Sequence, residues 1–228
     1  MAKVITVQEA VDLIPNGATI MFGGFMGCGS AHTIIDILSK SGKGDFTMIS
    51  NDASMQGGPM GEEYYGVAKL VHNKQVKKLM ATHVGLNPEV AAQVNENELD
   101  LTLIPQGSLV EMIRAGGAGL GGIITPTGLG TIVEEGWHVH SRIEIDGKEY
   151  LVEKALRADV AILSGHKVDK AGNIWYKGTT RNFNVAMATA ADIVIVEADL
   201  VVEVGEIEPE NIVTSGVLVD YIARGGVK

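Results

Sequence analysis

The chain has 228 residues, 46% of them hydrophobic, and a formal net charge of −10 from 18 Lys and Arg against 28 Asp and Glu. The basic residues are scattered, which excludes the concentrated basic face that nucleic acid requires, and no apolar run approaches the roughly 20 residues needed to cross a bilayer. Cys28 is alone, so an internal disulfide and a multi-cysteine metal site are excluded as well. With no secretory pattern at Met1–Val4, these features predict a cytoplasmic protein forming one domain over residues 1–228.

Thr6-Val7-Gln8-Glu9 is a capping box, followed by the apolar helix face Ala10, Val11, Leu13 and Ile14. Pro15-Asn16-Gly17 turns the chain into a buried strand, Ala18 to Phe22. Gly23-Gly24-Phe25-Met26-Gly27-Cys28-Gly29 comes next, and Ser30 is positioned to cap a helix running to about Lys40. Strand, glycine loop and helix in that order offer backbone N–H groups and a helix dipole to a polar or anionic group. A tight turn with no ligand would use the same glycines.

The alternation continues. Phe46 to Ser50 and Val76 to Thr82 read as strands, and Asn87-Pro88 opens a helix. Leu101 to Ile104 is a strand ending at Pro105-Gln106-Gly107, followed by a helix from about Ser108 to Arg114 and a loop, Gly116 to Gly122. Later come a strand at Asp159 to Leu163, a helix near Asn182 to Ala191 and a strand at Ile193 to Glu197. This rhythm predicts an α/β fold, an open and mostly parallel sheet with helices on both faces. Residues 139–153 depart from it. Arg142-Ile143-Glu144-Ile145 alternates polar with apolar and Asp146-Gly147 is a strong turn signal, so an antiparallel hairpin is inserted here.

Gly117-Ala118-Gly119-Leu120-Gly121-Gly122 satisfies G-x-G-x-x-G, but a helix precedes it where a dinucleotide site needs a strand. Cys28 lacks a histidine placed by sequence as its base and reads as a small buried thiol. His138-x-His140 reads as two exposed or cross-strand residues, so no metal site is predicted. Glu62-Glu63 and Glu134-Glu135 read as solvated pairs, and Glu197, near a strand end, is a weak candidate for a reacting carboxylate.

Several separated segments resemble one family. Asn16-Gly17, Gly23-Gly24-Phe25 and Gly29, in their spacing, look like the CoA-binding signature of family I coenzyme A transferase alpha subunits, with Ala31 where that signature has Pro. Pro105 to Glu111, Arg114 to Gly119, Thr125-Pro126-Thr127-Gly128, Asp169 to Asn173 and Arg181-Asn182-Phe183-Asn184 resemble the same subunits, in order along nearly the whole chain. The resemblance implies the CoA-transferase fold, shared with sugar-phosphate isomerases. It also implies transfer of CoA between a short-chain acyl-CoA (acetyl-, butyryl- or acetoacetyl-CoA) and a carboxylic acid, with CoA as substrate and no bound cofactor.

Such transfer proceeds through an anhydride and a glutamyl-CoA thioester. In the family the nucleophilic Glu lies on a beta subunit, and no counterpart of its motif is found here. The resemblance therefore implies a beta partner in an alpha2beta2 assembly. It places Gln106 near the acyl carbonyl, as a donor to an oxyanion or a group orienting a carboxylate. Asn51, at another strand end, is a second candidate facing the acyl group. Gly23, Gly24, Phe25, Met26, Gly27, Cys28 and Gly29 would form the wall near CoA, and Arg114 and Arg181 would meet a substrate carboxylate or the interface. Two other readings keep the fold: a sugar-phosphate isomerase-like enzyme acting without a partner, and a non-catalytic module sensing a small acid or CoA thioester.

Overall fold

The computed structural model describes residues 2–225. The first part of the chain forms β1 (Lys3–Ile5), α1 (Val7–Asp12), β2 (Thr19–Phe22), α2 (His32–Leu38), β3 (Phe46–Ser50), β4 (Met55–Gln56) and β5 (Tyr64–Tyr65). Then come α3 (Ala68–His72), β6 (Val76–Ala81), α4 (Pro88–Asn95), β7 (Asp100–Leu103), α5 (Gln106–Gly117) and β8 (Gly122–Thr125). The remainder forms β9 (Val139–Ile145), β10 (Lys148–Lys154), β11 (Ala158–Asp169), β12 (Ile174–Trp175), α6 (Asn184–Met187), β13 (Ala191–Val202) and β14 (Tyr221–Arg224).

Among the described residues, the main sheet has nine strands in the order β1-β14-β13-β11-β2-β3-β6-β7, with β12 paired to β11. All its ladders are parallel except β11 with β12. The central strands β2, β3 and β11 are apolar on both faces, as a sheet covered by helices demands. One core joins α1 to α4 to one face through Val11, Ile34, Leu38, Leu70 and Val90. A second core joins α5 and α6 to the other face through Leu109, Met112, Ile113 and Met187.

The N-terminal capping box forms as predicted: Thr6 Oγ1 accepts from the Glu9 amide and Glu9 returns to the Thr6 amide at 2.7 Å. The hairpin also forms, as β9 and β10 joined at Asp146 (φ 51°) and Gly147 (φ 75°), the two positive dihedrals that a two-residue turn needs. It belongs to a three-stranded sheet, β8-β10-β9, because β8 adds along β10. That pairing has no local sequence signal.

Other boundaries differ from expectation. Helix α5 begins at Gln106 and extends to Gly117, so part of the expected glycine loop is helical. Gly116 and Gly117 lie where an added Cβ would strike the Leu156 carbonyl and the Thr189 side chain, so they bring the helix close to its neighbours. Gly119 (φ 72°) ends the helix, with Leu120 N–H bonded to Ala115 O and Gly119 N–H to Gly116 O. The G-x-G-x-x-G match is therefore helix packing and a helix stop. Ser30 is not the cap of α2; the cap position is Ala31, which has no side chain to offer.

Candidate active site

The chain runs from β2 outward through β3, β6 and β7, and later returns to build β11, β13 and β14 on the other side of β2. The order reverses between β2 and β11, and the carboxyl ends of strands at such a point form a natural crevice. The glycine loop leaves β2 there. Asn51 follows β3, His83 lies two residues past β6, and Gln106 opens α5 just after β7.

The loop is a small hairpin. Phe25 and Cys28 exchange two backbone hydrogen bonds of 3.0 and 2.8 Å around Met26 (φ 49°) and Gly27 (φ 80°). An added Cβ at Gly27 would strike the Tyr65 ring, and one at Gly23 the Asn184 amide. Most of the loop's N–H groups are paired within the chain. Gly23 donates to Ile162 O, Gly24 to Asn182 Oδ1 at 3.1 Å, Met26 to Asp52 Oδ2 at 2.8 Å and Ser30 to Gly27 O. Much of the expected backbone cradle is thus spent inside the protein. A cavity of only about 10 Å³ remains between the loop and the end of β3, and the exposed side chains, Phe25 and Cys28, lie on the loop's outer surface.

That outer surface carries chemistry. Phe25 is 40% exposed and its ring faces His83, with centroids 6.3 Å apart. Cys28, expected to be buried, is exposed, because the hairpin turns its side chain outward toward Thr179 at 3.5 Å. Asn182 and Asn184 hold the other side of the loop, donating to Cys28 O and Gly29 O at 2.9 Å each. Asn184 also accepts from the Ser164 amide, tying the loop to β11. This is the physical role of the Arg181 to Asn184 segment. Sequence reading flagged the segment without finding the role.

Gln106 is exposed, and its Nε2 donates to Asn51 Oδ1 at 2.5 Å across the end of β6. Asn51 is fully buried and its own Nδ2 donates to Asp52 Oδ2 at 2.9 Å, so both ends of its amide are paired within the chain. Asp52 does more than follow the strand. Its Oδ1 accepts from Ser54 N–H at 2.7 Å and its Oδ2 from Met26 and Asn51, joining the glycine loop to β3.

Carboxylates near the loop are committed elsewhere. Glu197, the weak candidate, directs Oε1 at Thr33 N–H (3.1 Å) and Oε2 at Ile34 N–H (2.8 Å). It thereby satisfies the start of α2 that Ala31 leaves uncapped. Glu62 and Glu134 are half-buried rather than solvated, holding the amides of Met60 and Gly130. Arg114 pairs with Glu111. His140 is exposed but His138 is buried, correcting the reading of that pair. Burial and the nearby Lys154 charge lower the His138 pKa. Among the described residues, no three His, Cys, Asp or Glu side chains are grouped to hold a metal ion, and no helix is long and apolar enough to span a membrane.

The fold agrees with that of known proteins. Residues 4–225 match the family model described as "Coenzyme A transferase", and the chain belongs to that family. It is 44% identical to the acetate CoA-transferase subunit alpha of Escherichia coli K12, over 96% of each chain. To the acetoacetyl-CoA:acetate/butyrate CoA transferase alpha subunit of Clostridium acetobutylicum it is 46% identical over 98% of each. Among solved structures, the acyl-CoA transferase of E. coli O157:H7, a thioester complex with CoA, superposes with a TM-score of 0.83 at 25% identity. The match covers 98% of this chain and 47% of that one, so this chain spans about half its length. The glutaconate coenzyme A-transferase of Acidaminococcus fermentans shares the fold, with a TM-score of 0.83 at 18% identity over 98% of this chain and 75% of the other.

Proposed function

We propose that this chain is the alpha subunit of a cytoplasmic CoA transferase that moves CoA between a short-chain acyl-CoA and a carboxylic acid. It would work with a beta subunit, in an alpha2beta2 assembly, as one domain including the hairpin sheet. The reading rests on full-length similarity to two alpha subunits of such enzymes, one named for acetate and the other for acetoacetyl-CoA, acetate and butyrate. The single observation that carries the division of labour is the state of the carboxylates: Asp52 and Glu197 direct both oxygens at N–H groups of this chain. A nucleophile for thioester formation is supplied in trans.

Within this reading, Gln106 is the polar group that meets the reacting carboxylate. One Nε2 hydrogen is held by Asn51, which fixes the amide plane, while the other hydrogen and Oε1 remain for the substrate. A donor fixed before the reaction stabilises charge developing on the attacked carbonyl. Asn51 is a positioning residue for Gln106. Residues Gly23 to Gly29 form the wall along which the thioester lies, with Phe25, Met26 and Cys28 as its side chains.

Co-expression with a beta-type chain carrying the nucleophilic Glu tests the proposal. CoA exchange between acetoacetyl-CoA and acetate is expected from the mixture alone, with borohydride reduction marking a Glu of the partner. Exchange by this chain alone, or a label on one of its own carboxylates, would refute it.

A further inference from the structure

Two aromatic side chains meet at the glycine hairpin and take no part in the proposed chemistry. His32, the first residue of α2, places Nε2 2.8 Å from the carbonyl oxygen of Gly27. A carbonyl oxygen only accepts, so Nε2 carries the hydrogen and donates it. Tyr65, on β5, lays its ring on the same glycine: a Cβ added at Gly27 would stand 2.0 Å from Tyr65 Cε1. The two rings also pack on each other, with centroids 4.7 Å apart and planes inclined at 33°. Gly27 is buried, while Phe25 and Cys28, which exchange backbone hydrogen bonds around it, are exposed.

Each of the two side chains has a firm base. Glu197 holds the amides of Thr33 and Ile34, so the turn of α2 that carries His32 is tied to β13. Strand β5 pairs with β4 at Met55–Tyr65 and Gln56–Tyr64. Neighbouring residues of a strand point to opposite faces, and the two tyrosines divide accordingly. Tyr64 stacks on His72 of α3 at 3.9 Å and donates to Glu89 of α4 at 2.9 Å, which fastens the short hairpin to the scaffold. Tyr65 turns the other way, toward the glycine loop. At Gly66 the chain passes so close to Ser54 that a Cβ would strike its hydroxyl, and the Ser54 amide is in turn held by Asp52.

We propose that Tyr65 and His32 are positioning residues for the substrate-facing wall. The ring of Tyr65 and the hydrogen bond from His32 fix Gly27 at the turn of the loop, and Gly27 sets where Phe25 and Cys28 stand. The inference rests on the reading of Gly23 to Gly29 as the surface along which the thioester lies. It adds a second hairpin, β4–β5, to the parts that shape that surface, and neither side chain has to touch the reacting atoms.

Substitutions in the co-expressed complex test it through two readouts: amide exchange from Phe25 to Cys28, and KM for acyl-CoA beside kcat. Tyr65→Ala is expected to quicken that exchange about fivefold and to raise KM about fivefold, with kcat within about twofold and the partner still co-purifying, because a wall that meets ground state and transition state alike acts on KM. Tyr65→Phe keeps the ring and should match the parent in both readouts. His32→Ala should repeat the loss, and His32→Gln, which retains a donor, should restore most of it. Tyr65→Ala added to His32→Ala should raise KM by less than about twofold more, since both side chains act on Gly27. If Tyr65→Ala prevents assembly, the two His32 variants carry the test. Unchanged exchange in the Ala variants, or a Tyr65→Phe protein that behaves as Tyr65→Ala does, would overturn the inference. Faster exchange with KM and kcat both unchanged would instead leave the two contacts standing and remove the hairpin's part as the wall of the thioester.

Discussion

Glu197 and Ile34 are 163 residues apart in sequence and meet at 2.8 Å, carboxylate to amide, where α2 begins. Glu197 stands on β13, two strands from β2, and reaches the helix that follows β2. The contact makes this carboxylate part of the scaffold. Glu197→Gln should therefore keep most CoA exchange in the assembled complex, whereas Glu197→Ala should lower stability by about 1–2 kcal/mol, the range of a lost helix cap. Denaturant unfolding and an exchange assay check the pair; abolished exchange in a stable Glu197→Gln protein would make the residue catalytic.

Gln106→Ala should lower turnover by about 10²-fold, the scale of one lost transition-state donor, while binding to the beta chain is unchanged. Asn51→Ala should give a smaller loss of the same kind, since it frees the Gln106 amide without removing it. The check is kcat beside a co-purification assay. A larger loss from Asn51→Ala than from Gln106→Ala would contradict the order of contacts seen here.

Asp52→Ala leaves the N–H groups of Met26 and Ser54 without their acceptor. Each buried donor left unpaired costs about 1–3 kcal/mol, so a loss of about 3 kcal/mol is expected. The glycine hairpin should loosen with it, seen as faster amide exchange from Phe25 to Cys28. Unchanged exchange there would mean that the remaining contacts secure the hairpin.

Burial raises the Glu153 carboxyl above its ordinary value of 4.5, so the folded chain holds this proton more tightly than the unfolded chain. Its contribution to stability is therefore complete below 4.5 and is lost as pH rises through the folded value. His138 runs the other way: its lowered pKa removes stability as pH falls below 6.5. Glu153→Gln deletes only the first effect. Its melting temperature should match the parent below pH 4.5 and exceed it as pH rises above that value. A constant offset on both sides of it would show that Glu153 does not titrate in this range.

What the sequence disclosed follows from distance along the chain. The Thr6–Glu9 cap and the Asp146-Gly147 turn act over a few residues, so their signals are local and were legible. The parallel sheet was legible because β2, β3 and β11 carry apolar runs between helices. Family resemblance pointed to Gln106, the glycine loop and the Arg181–Asn184 segment. The fastenings were not legible. Asp52 to Met26, Asn182 to Gly24 and Glu197 to Ile34 join residues 26, 158 and 163 positions apart, and no periodicity encodes such meetings. Exposure of Cys28 and burial of His138 were misjudged for the same reason, since a hairpin's orientation and a second sheet decide them.

The long reach of Asn182 and Asn184 also orders events in time. A ribosome that has released only the first hundred residues has made β2 and its glycines, but neither asparagine that grips them. The Phe25–Cys28 hairpin can settle only after β11 has docked beside β2 and the segment through residue 184 has followed. Nascent chains thus acquire the shape of this loop late, and a truncation before residue 182 would leave it unformed.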